Sequence, residues 1–350
     1  MSEPELPNVA RSDGRDSAEL GRLRLRPAGR APFIVTGCAG FIGSHLTETL
    51  LARGETVVGI DCFTDYYDAA VKVRNVAPSQ DDPAFRLVRA DLADTELDTL
   101  FSDAAGVFHL AAQPGVRSSW GTSFDVYLRR NLLATQRVFE ASVASGLRVV
   151  YASSSSVYGN ANGYPTAETA EPRPVSPYGV TKLACEQLAR TYTSEFGLEA
   201  TGLRYFTVYG PRQRPDMAFS RVIDALARGS RFTLFGTGEQ SRDFTFVADA
   251  VRATIAAMDA DTVSRVYNVG GGTEATLSDT IALVERLSGR QLDLVVQGSA
   301  AGDVRRTAAD TSLIRDELGW EPEVALPDGL QLQLDSVLDV ADVETRLSHG

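Results

Sequence analysis

From Phe33 to about Tyr205 the chain alternates short apolar runs with longer stretches whose apolar residues recur every three or four positions. The runs Phe33 to Val35, Thr56 to Ile60, Phe85 to Arg89, Val107 to Leu110, Arg148 to Ala152 and Thr201 to Tyr205 predict strands. Between the first two, Ile42, Leu46 and Leu50 share one helical face, and Gly54, Gly146 and Gly197 each follow a helical pattern as a C-terminal stop. Such alternation predicts an α/β fold, a doubly wound parallel sheet with helices on both faces and ligands beyond the carboxyl ends of the strands. Past Gly210 the rhythm loosens into a helix near Ala218 to Arg228, short strands around Thr233 and Val266, and a helix near Leu277 to Ser288. The expected organisation is a cofactor domain over 31–210 and, over 211–345, mainly a smaller substrate lobe. Residues 1–30 mix Pro, Gly, Ser, Arg and acids without periodicity and predict a disordered tail. Glu3, Glu5, Asp13, Asp16 and Glu19 speak against a transit peptide, and no apolar core of a secretory signal is present.

The composition, 43% hydrophobic and 23% charged over 350 residues, suits a globular protein with a sizeable core. No apolar run reaches the length of a membrane span, so a soluble, cytoplasmic protein is expected. A formal net charge of −12 argues against duplex nucleic acid or an anionic membrane as partner, while leaving room for an anionic small molecule held by local arginines. Lysine occurs only at 72 and 182. Cys38, Cys62 and Cys185, like His45, His109 and His349, show no metal-ligand spacing; reduced thiols and no metal are expected.

The first strand runs into TGCAGFIG, where Gly37, Gly40 and Gly43 are spaced GxxGxxG. A sharp strand-to-helix turn needs residues without Cβ, and a pyrophosphate at a helix N-terminus needs bare backbone N–H groups, so the segment with Ala39, Phe41 and Ile42 reads as a dinucleotide cradle. Asp61 lies 18 residues past Gly43 (61 − 43), at the tip of the second strand. A carboxylate there can accept hydrogen bonds from an adenosine ribose and would repel a 2′-phosphate, which favours NAD over NADP.

SPYGVTK places Tyr178 and Lys182 one turn apart on one face of the helix after the fifth strand. A phenol is a poor base at neutral pH; an ammonium fixed beside it stabilises the phenolate. The run YASSSSVYG carries hydroxyls at the carboxyl end of that strand, and Ser154 is the choice for a proton relay to Tyr178.

With these motifs the sequence resembles the extended short-chain dehydrogenases/reductases from Phe33 to Leu330. TGCAGFIGSHL, the Asp91-Leu92 pair, HLAAQ, the serine run, SPYGVTK, LRYFTVYGPRQRPDMA, RDFTFVADA and GDVRRTAAD follow in the family's order. Within that family it looks like a nucleotide-sugar epimerase. DYYD at Asp65 to Asp68 and RPDMA at Arg214 to Ala218 are most similar to the UDP-glucuronate 4-epimerases.

The resemblance implies a Rossmann-like fold, a UDP-sugar substrate, and a homodimer formed through a helix pair flanking the sheet. It puts Asp91 and Leu92 at the adenine, Leu110, Ala111 and Ala112 along the cofactor phosphates and ribose, and Tyr205 at the nicotinamide, with Tyr178 and Lys182 also touching the cofactor. It gives Thr233 and Phe235 to the uracil, Arg242 to the diphosphate, and Asp303 and Arg305 to closure of the nucleotide site; Arg117 is open to either ligand. Thr207, Arg214 and one of Ser155 or Ser156 are expected on the sugar carboxylate, alongside Ser154 on the 4-OH. Dehydratases and decarboxylases of this family carry an acid just after the relay hydroxyl, where this chain has Ser155 and Ser156. Three other readings remain: a UDP-glucose/galactose 4-epimerase, a UDP-glucuronate decarboxylase, and an NAD-binding sensor without catalysis.

Overall fold

The structure, a computed structural model, describes residues 31–261, 265–298 and 304–348. The 1–30 tail, Asp303, His349 and the side chain of Phe235 lie outside the described residues.

The predicted strands form as β1 (Phe33–Thr36), β2 (Val57–Asp61), β3 (Phe85–Arg89), β4 (Gly106–His109), β5 (Val149–Ser154) and β6 (Ala200–Tyr205). With β10 (Val266–Val269) they make a seven-stranded parallel sheet of order β10-β6-β5-β4-β1-β2-β3. Alternation along each strand feeds two cores. Phe33, Val35, Val57, Phe108 and Val150 pack with Leu46 and Leu50 of α1 (Phe41–Ala52) and with Val251 and Ile255 of α8 (Val247–Asp259). Their neighbours Ile34, Val58, Val107 and Val149 pack instead with Val138 and Phe139 of α5 (Ala134–Ala144) and Ala189 and Tyr192 of α6 (Pro177–Phe196). Strands buried on both faces explain why their sequences read as continuous apolar runs. On the flanks lie α2 (Ala69–Gln80), α3 (Asp98–Phe101) and α4 (Phe124–Tyr127).

After β7 (Thr207–Tyr209), α7 (Ala218–Arg228) buries Phe219, Val222, Ile223 and Leu226, and Gly229 ends it in the left-handed conformation. Two small sheets follow. β8 (Phe232–Phe235) pairs with β12 (Leu294–Gln297), and β9 (Ser241–Phe246) lies between β7 and β11 (Glu274–Thr276). The helices α9 (Leu277–Ser288), α10 (Ser312–Leu318) and α11 (Leu326–Ser348) complete this part. Because α8 and β10 belong to the main sheet's layers, those layers draw on the chain on both sides of Gly210. No helix among the described residues is long and apolar enough to cross a membrane.

Strand β1 pairs with β2 on one side and β4 on the other, so the order reverses there and the loops beyond these strands part into a crevice.

Candidate active site

A cavity of about 400 Å³ occupies that crevice. Its floor is the turn from β1 into α1. Gly37 has φ +73°, and a Cβ there would sit 2.8 Å from the Ala111 nitrogen; a Cβ on Gly43 would overlap the Gly37 carbonyl oxygen. At these two positions any side chain would force α1 or the loop after β4 away. The first turn of α1 has no side-chain cap and no acidic residue, so its N–H groups and positive dipole end are left for an anion. Gly37, Gly40, Phe41, Ile42 and Gly43 all line the cavity.

Asp61, Asp91, Leu92, Leu110, Ala111, Ala112 and Tyr205 line it too, each at or just past a strand's carboxyl end. The Asp61 carboxylate is buried; it accepts from the Ala39 N–H at 3.2 Å and the Phe63 N–H at 2.8 Å, with Lys72 Nζ 3.5 Å away. Ala39 is thus committed to holding Asp61; it is fully buried and absent from the lining. Asp91 takes the Ala93 N–H at 2.9 Å. Behind this wall, His109 is buried between Thr36 Oγ1 at 2.8 Å and Thr135 Oγ1 at 3.0 Å, and Thr36 Oγ1 also accepts the Ala111 N–H. Burial, reinforced by the Lys182 charge, drives its imidazole down to about 3 and keeps it neutral.

The opposite wall carries the hydroxyls. Ser154 ends β5 and accepts the Ser156 N–H at 3.1 Å. α6 begins with Ser176, whose Oγ caps Gly179 N at 3.1 Å, and with Pro177 preset for a first turn. A Cβ on Gly179 would sit 2.6 Å from the Ser156 carbonyl oxygen, so this glycine lets the start of α6 pack directly on the serine loop. That contact brings Tyr178 and Lys182 into one lining with Ser154, Ser155 and Ser156. Lys182 is buried and donates to the Ala152 carbonyl at 2.7 Å, and the Tyr178 ring meets Tyr127 edge-on at 6.3 Å.

Thr207 and Arg214 close the cavity on the side of β7. The sequence-predicted uracil and diphosphate residues are not brought into this lining. Thr233 and Phe235 sit on β8 in its own two-stranded sheet, and Arg242 on β9 donates to the carbonyls of Ser241 at 2.8 Å and Arg305 at 3.5 Å. Arg117 is exposed and outside the lining as well. A second, small cavity, lined by Arg306 and Thr307 among others, shares Ser155 and Phe206 with the large one, so Arg306 and Thr307 adjoin the site, while Arg305 lines neither cavity.

Among the lining residues that were not foreseen are Thr64, Tyr66, Tyr67, Lys72, Arg130 and Met217. The rarity of lysine was a signal for Lys72. Arg130 had none, since a π-helical turn over Leu128–Leu133 sets its direction; it donates to Gln113 Oε1 at 2.8 Å. The same turn carries Asn131, which accepts the Gln113 N–H and donates to Thr181 on α6, tying the two walls.

Residues 33–270 match the NAD dependent epimerase/dehydratase family. The chain belongs to that family. It is 41% identical over 300 residues to the uncharacterized UDP-glucose epimerase YtcB of Bacillus subtilis (strain 168), an alignment covering 85% of this chain and 95% of that one. It is 35% identical over 304 residues to the UDP-glucuronate 4-epimerase of Thermodesulfobacterium geofontis (strain OPF15), covering 85% and 94%. Among solved structures it is similar to the UDP-glucuronic acid 4-epimerase from Bacillus cereus in complex with UDP-glucuronic acid and NAD. There the TM-score is 0.86 at 41% identity, over 88% of this chain and 99% of that one. The family and these neighbours agree with the fold class and extended short-chain dehydrogenase/reductase membership expected from the motifs.

Proposed function

We propose that the protein is an NAD-dependent UDP-sugar 4-epimerase, an isomerase, that converts UDP-glucuronate to UDP-galacturonate. The observation that carries the reading is the single cavity joining the glycine turn and Asp61 on one wall to Ser154, Tyr178, Lys182, Thr207 and Arg214 on the other. The residues fit the dinucleotide: the Gly37 and Gly43 turn leaves no room for a Cβ beside an uncapped helix N-terminus, and Asp61 is held rigidly by two backbone N–H groups. Bound NAD+ would supply a reversible hydride acceptor for C4 of the sugar.

The chain's own part is proton transfer and positioning. The Tyr178 phenolate, stabilised by Lys182, takes the 4-OH proton with Ser154 as relay, and returns it after the 4-keto sugar has turned about its diphosphate to present the other face. A 4-ketouronate is a β-keto acid, and it loses CO2 when its C–CO2 bond aligns with the carbonyl π system. Thr207, Arg214 and one of Ser155 or Ser156 hold the carboxylate out of that alignment. Among the described residues the only carboxylates lining the cavity are Asp61 and Asp91, at the far wall from Ser154, which speaks against elimination or decarboxylation as the purpose of the site.

Asp91 and Leu92 flank the adenine, Leu110, Ala111 and Ala112 the phosphates and ribose, and Tyr205 the nicotinamide. By motif likeness Thr233, Phe235, Arg242 and Arg305 receive the nucleotide end of the substrate, outside the lining of the large cavity. Lys72 and Arg130 add positive charge to the lining of an otherwise acidic protein. We also read the chain as a cytoplasmic homodimer: Leu128, Leu133 and Val180 are exposed on the 128–133 turn and α6, which pack side by side.

The likeness to the Bacillus subtilis protein favours a second reading, a UDP-glucose/galactose 4-epimerase. Offering UDP-glucuronate and UDP-glucose in parallel decides between them. The proposal expects a higher kcat/KM for the uronate, and an equal or higher value for the hexose sinks it.

A further inference from the structure

Arg214 does not face the cavity unaided. Its Nε and Nη2 donate to the two carboxylate oxygens of Asp216, both at 3.0 Å, a bidentate pair along one side of the guanidinium. A guanidinium has five N–H groups; this pair uses two, and among the described residues no further hydrogen-bond partner meets the remaining three. Those three include the Nη1/Nη2 edge, a second parallel fork of the right width for another carboxylate.

Asp216 is itself held. The Tyr66 hydroxyl donates to its Oδ2 at 3.2 Å and lies 3.3 Å from Ser118 Oγ. A Cβ on Gly115, which has φ +100°, would overlap that hydroxyl. Tyr66 therefore meets the loops after β4 and β7 from its own loop after β2, three separate segments that border the cavity. From Ser118 the chain of contacts continues to the Tyr127 hydroxyl at 2.7 Å, and the Tyr127 ring stands edge-on to Tyr178. Burial pushes the Tyr66 phenol above its ordinary range, so it stays a proton donor.

We propose that Asp216 and Tyr66 are positioning residues that fix the Arg214 guanidinium, and through it decide that the site takes a sugar carboxylate and holds it still. The inference rests on the uronate reading of this site. Removing the Asp216 carboxylate frees the guanidinium to rotate, and the fork is lost even though the charge remains. The carboxylate then binds less well and samples the alignment in which CO2 leaves.

The test measures kcat and KM for UDP-glucuronate and UDP-glucose, and follows CO2 and UDP-pentose by NMR, in the wild type, Asp216→Ala, Asp216→Glu and Tyr66→Phe. The expected result is a uronate-to-hexose ratio of kcat/KM that falls roughly tenfold or more in Asp216→Ala, chiefly through KM, with UDP-pentose newly detectable. Tyr66→Phe moves the same way by less, and Asp216→Glu restores part of the loss. Should Asp216→Ala fail to fold, Tyr66→Phe, which removes one hydroxyl, decides the matter. A ratio and product pattern unchanged in the folded variants overturns the inference and leaves the uronate reading standing. A wild type with no preference for the uronate overturns both.

Discussion

The two walls of the cavity are built from different materials. The wall beneath β1, β2 and β4 is made by the main chain: Gly37 and Gly43 admit no Cβ, Asp61 is gripped by backbone N–H groups, and His109 is locked between two threonines. On the side of β7 the site is set by side chains instead: Arg214 lines the cavity and pairs with Asp216 two residues on, and Asp216 is joined through Tyr66 to Ser118 from the loops after β2 and β4. Main-chain geometry has one solution and suits a cofactor that stays. Side-chain networks can be retuned by a single substitution, which suits the part of an enzyme that tells one sugar from another.

Substitutions on either wall should therefore fail in different ways. Tyr178→Phe stands where the walls meet and should have the largest effect, lowering kcat by about 10²- to 10⁴-fold while the dinucleotide stays bound. Turnover like the wild type's would remove Tyr178 as the base. Gly43→Ala comes next: overlap with the Gly37 carbonyl should cost about 1–3 kcal/mol and strip the purified protein of dinucleotide, seen as loss of the nucleotide released on denaturation. A Gly43→Ala protein with full retention would mean that this wall yields as easily as the other.

His109 sharpens the contrast through pH. Its folded value of about 3 lies below the ordinary 6.5, so the unfolded chain binds the proton first. Its contribution is complete above about pH 6.5 and is lost as pH falls from there toward 3, at up to about 1.4 kcal/mol per unit, hence about 2 kcal/mol by pH 5. Urea midpoints across this range should fall toward acid and flatten in His109→Gln; equal slopes in both proteins would contradict it. Arg242→Ala should do least, raising KM by about tenfold with kcat nearly unchanged. A collapse of kcat instead would place Arg242 in the chemistry rather than at the nucleotide end.

The same contrast governs what could be read in advance. The helices Ala218–Arg228 and Leu277–Ser288 were legible to the residue, because burial on one helical face writes a period into the chain; β3 at Phe85–Arg89, a half-exposed edge strand, was legible from its short apolar run. The glycine turn, Asp61, Ser154, Tyr178 and Lys182, which the fold brings into one lining, stood out in the sequence because each answers a local backbone or chemical demand. Ala39 lies outside the lining, and only the fold reveals that its N–H bonds Asp61. Thr233, Phe235, Arg242 and Arg305 came from motif likeness, and nothing local in sequence says how near β8 and β9 lie to the cavity. Tyr66 and Asp216 stood in noticed motifs, yet their pairing joins residues 150 positions apart, a contact no local pattern encodes.

Product analysis by NMR, after incubating the purified protein with UDP-glucuronate and no added nucleotide, bears most directly on the central claim. The account predicts UDP-galacturonate accumulating without net consumption of NAD and without CO2. Unchanged substrate, or UDP-pentose as the main product, would contradict it.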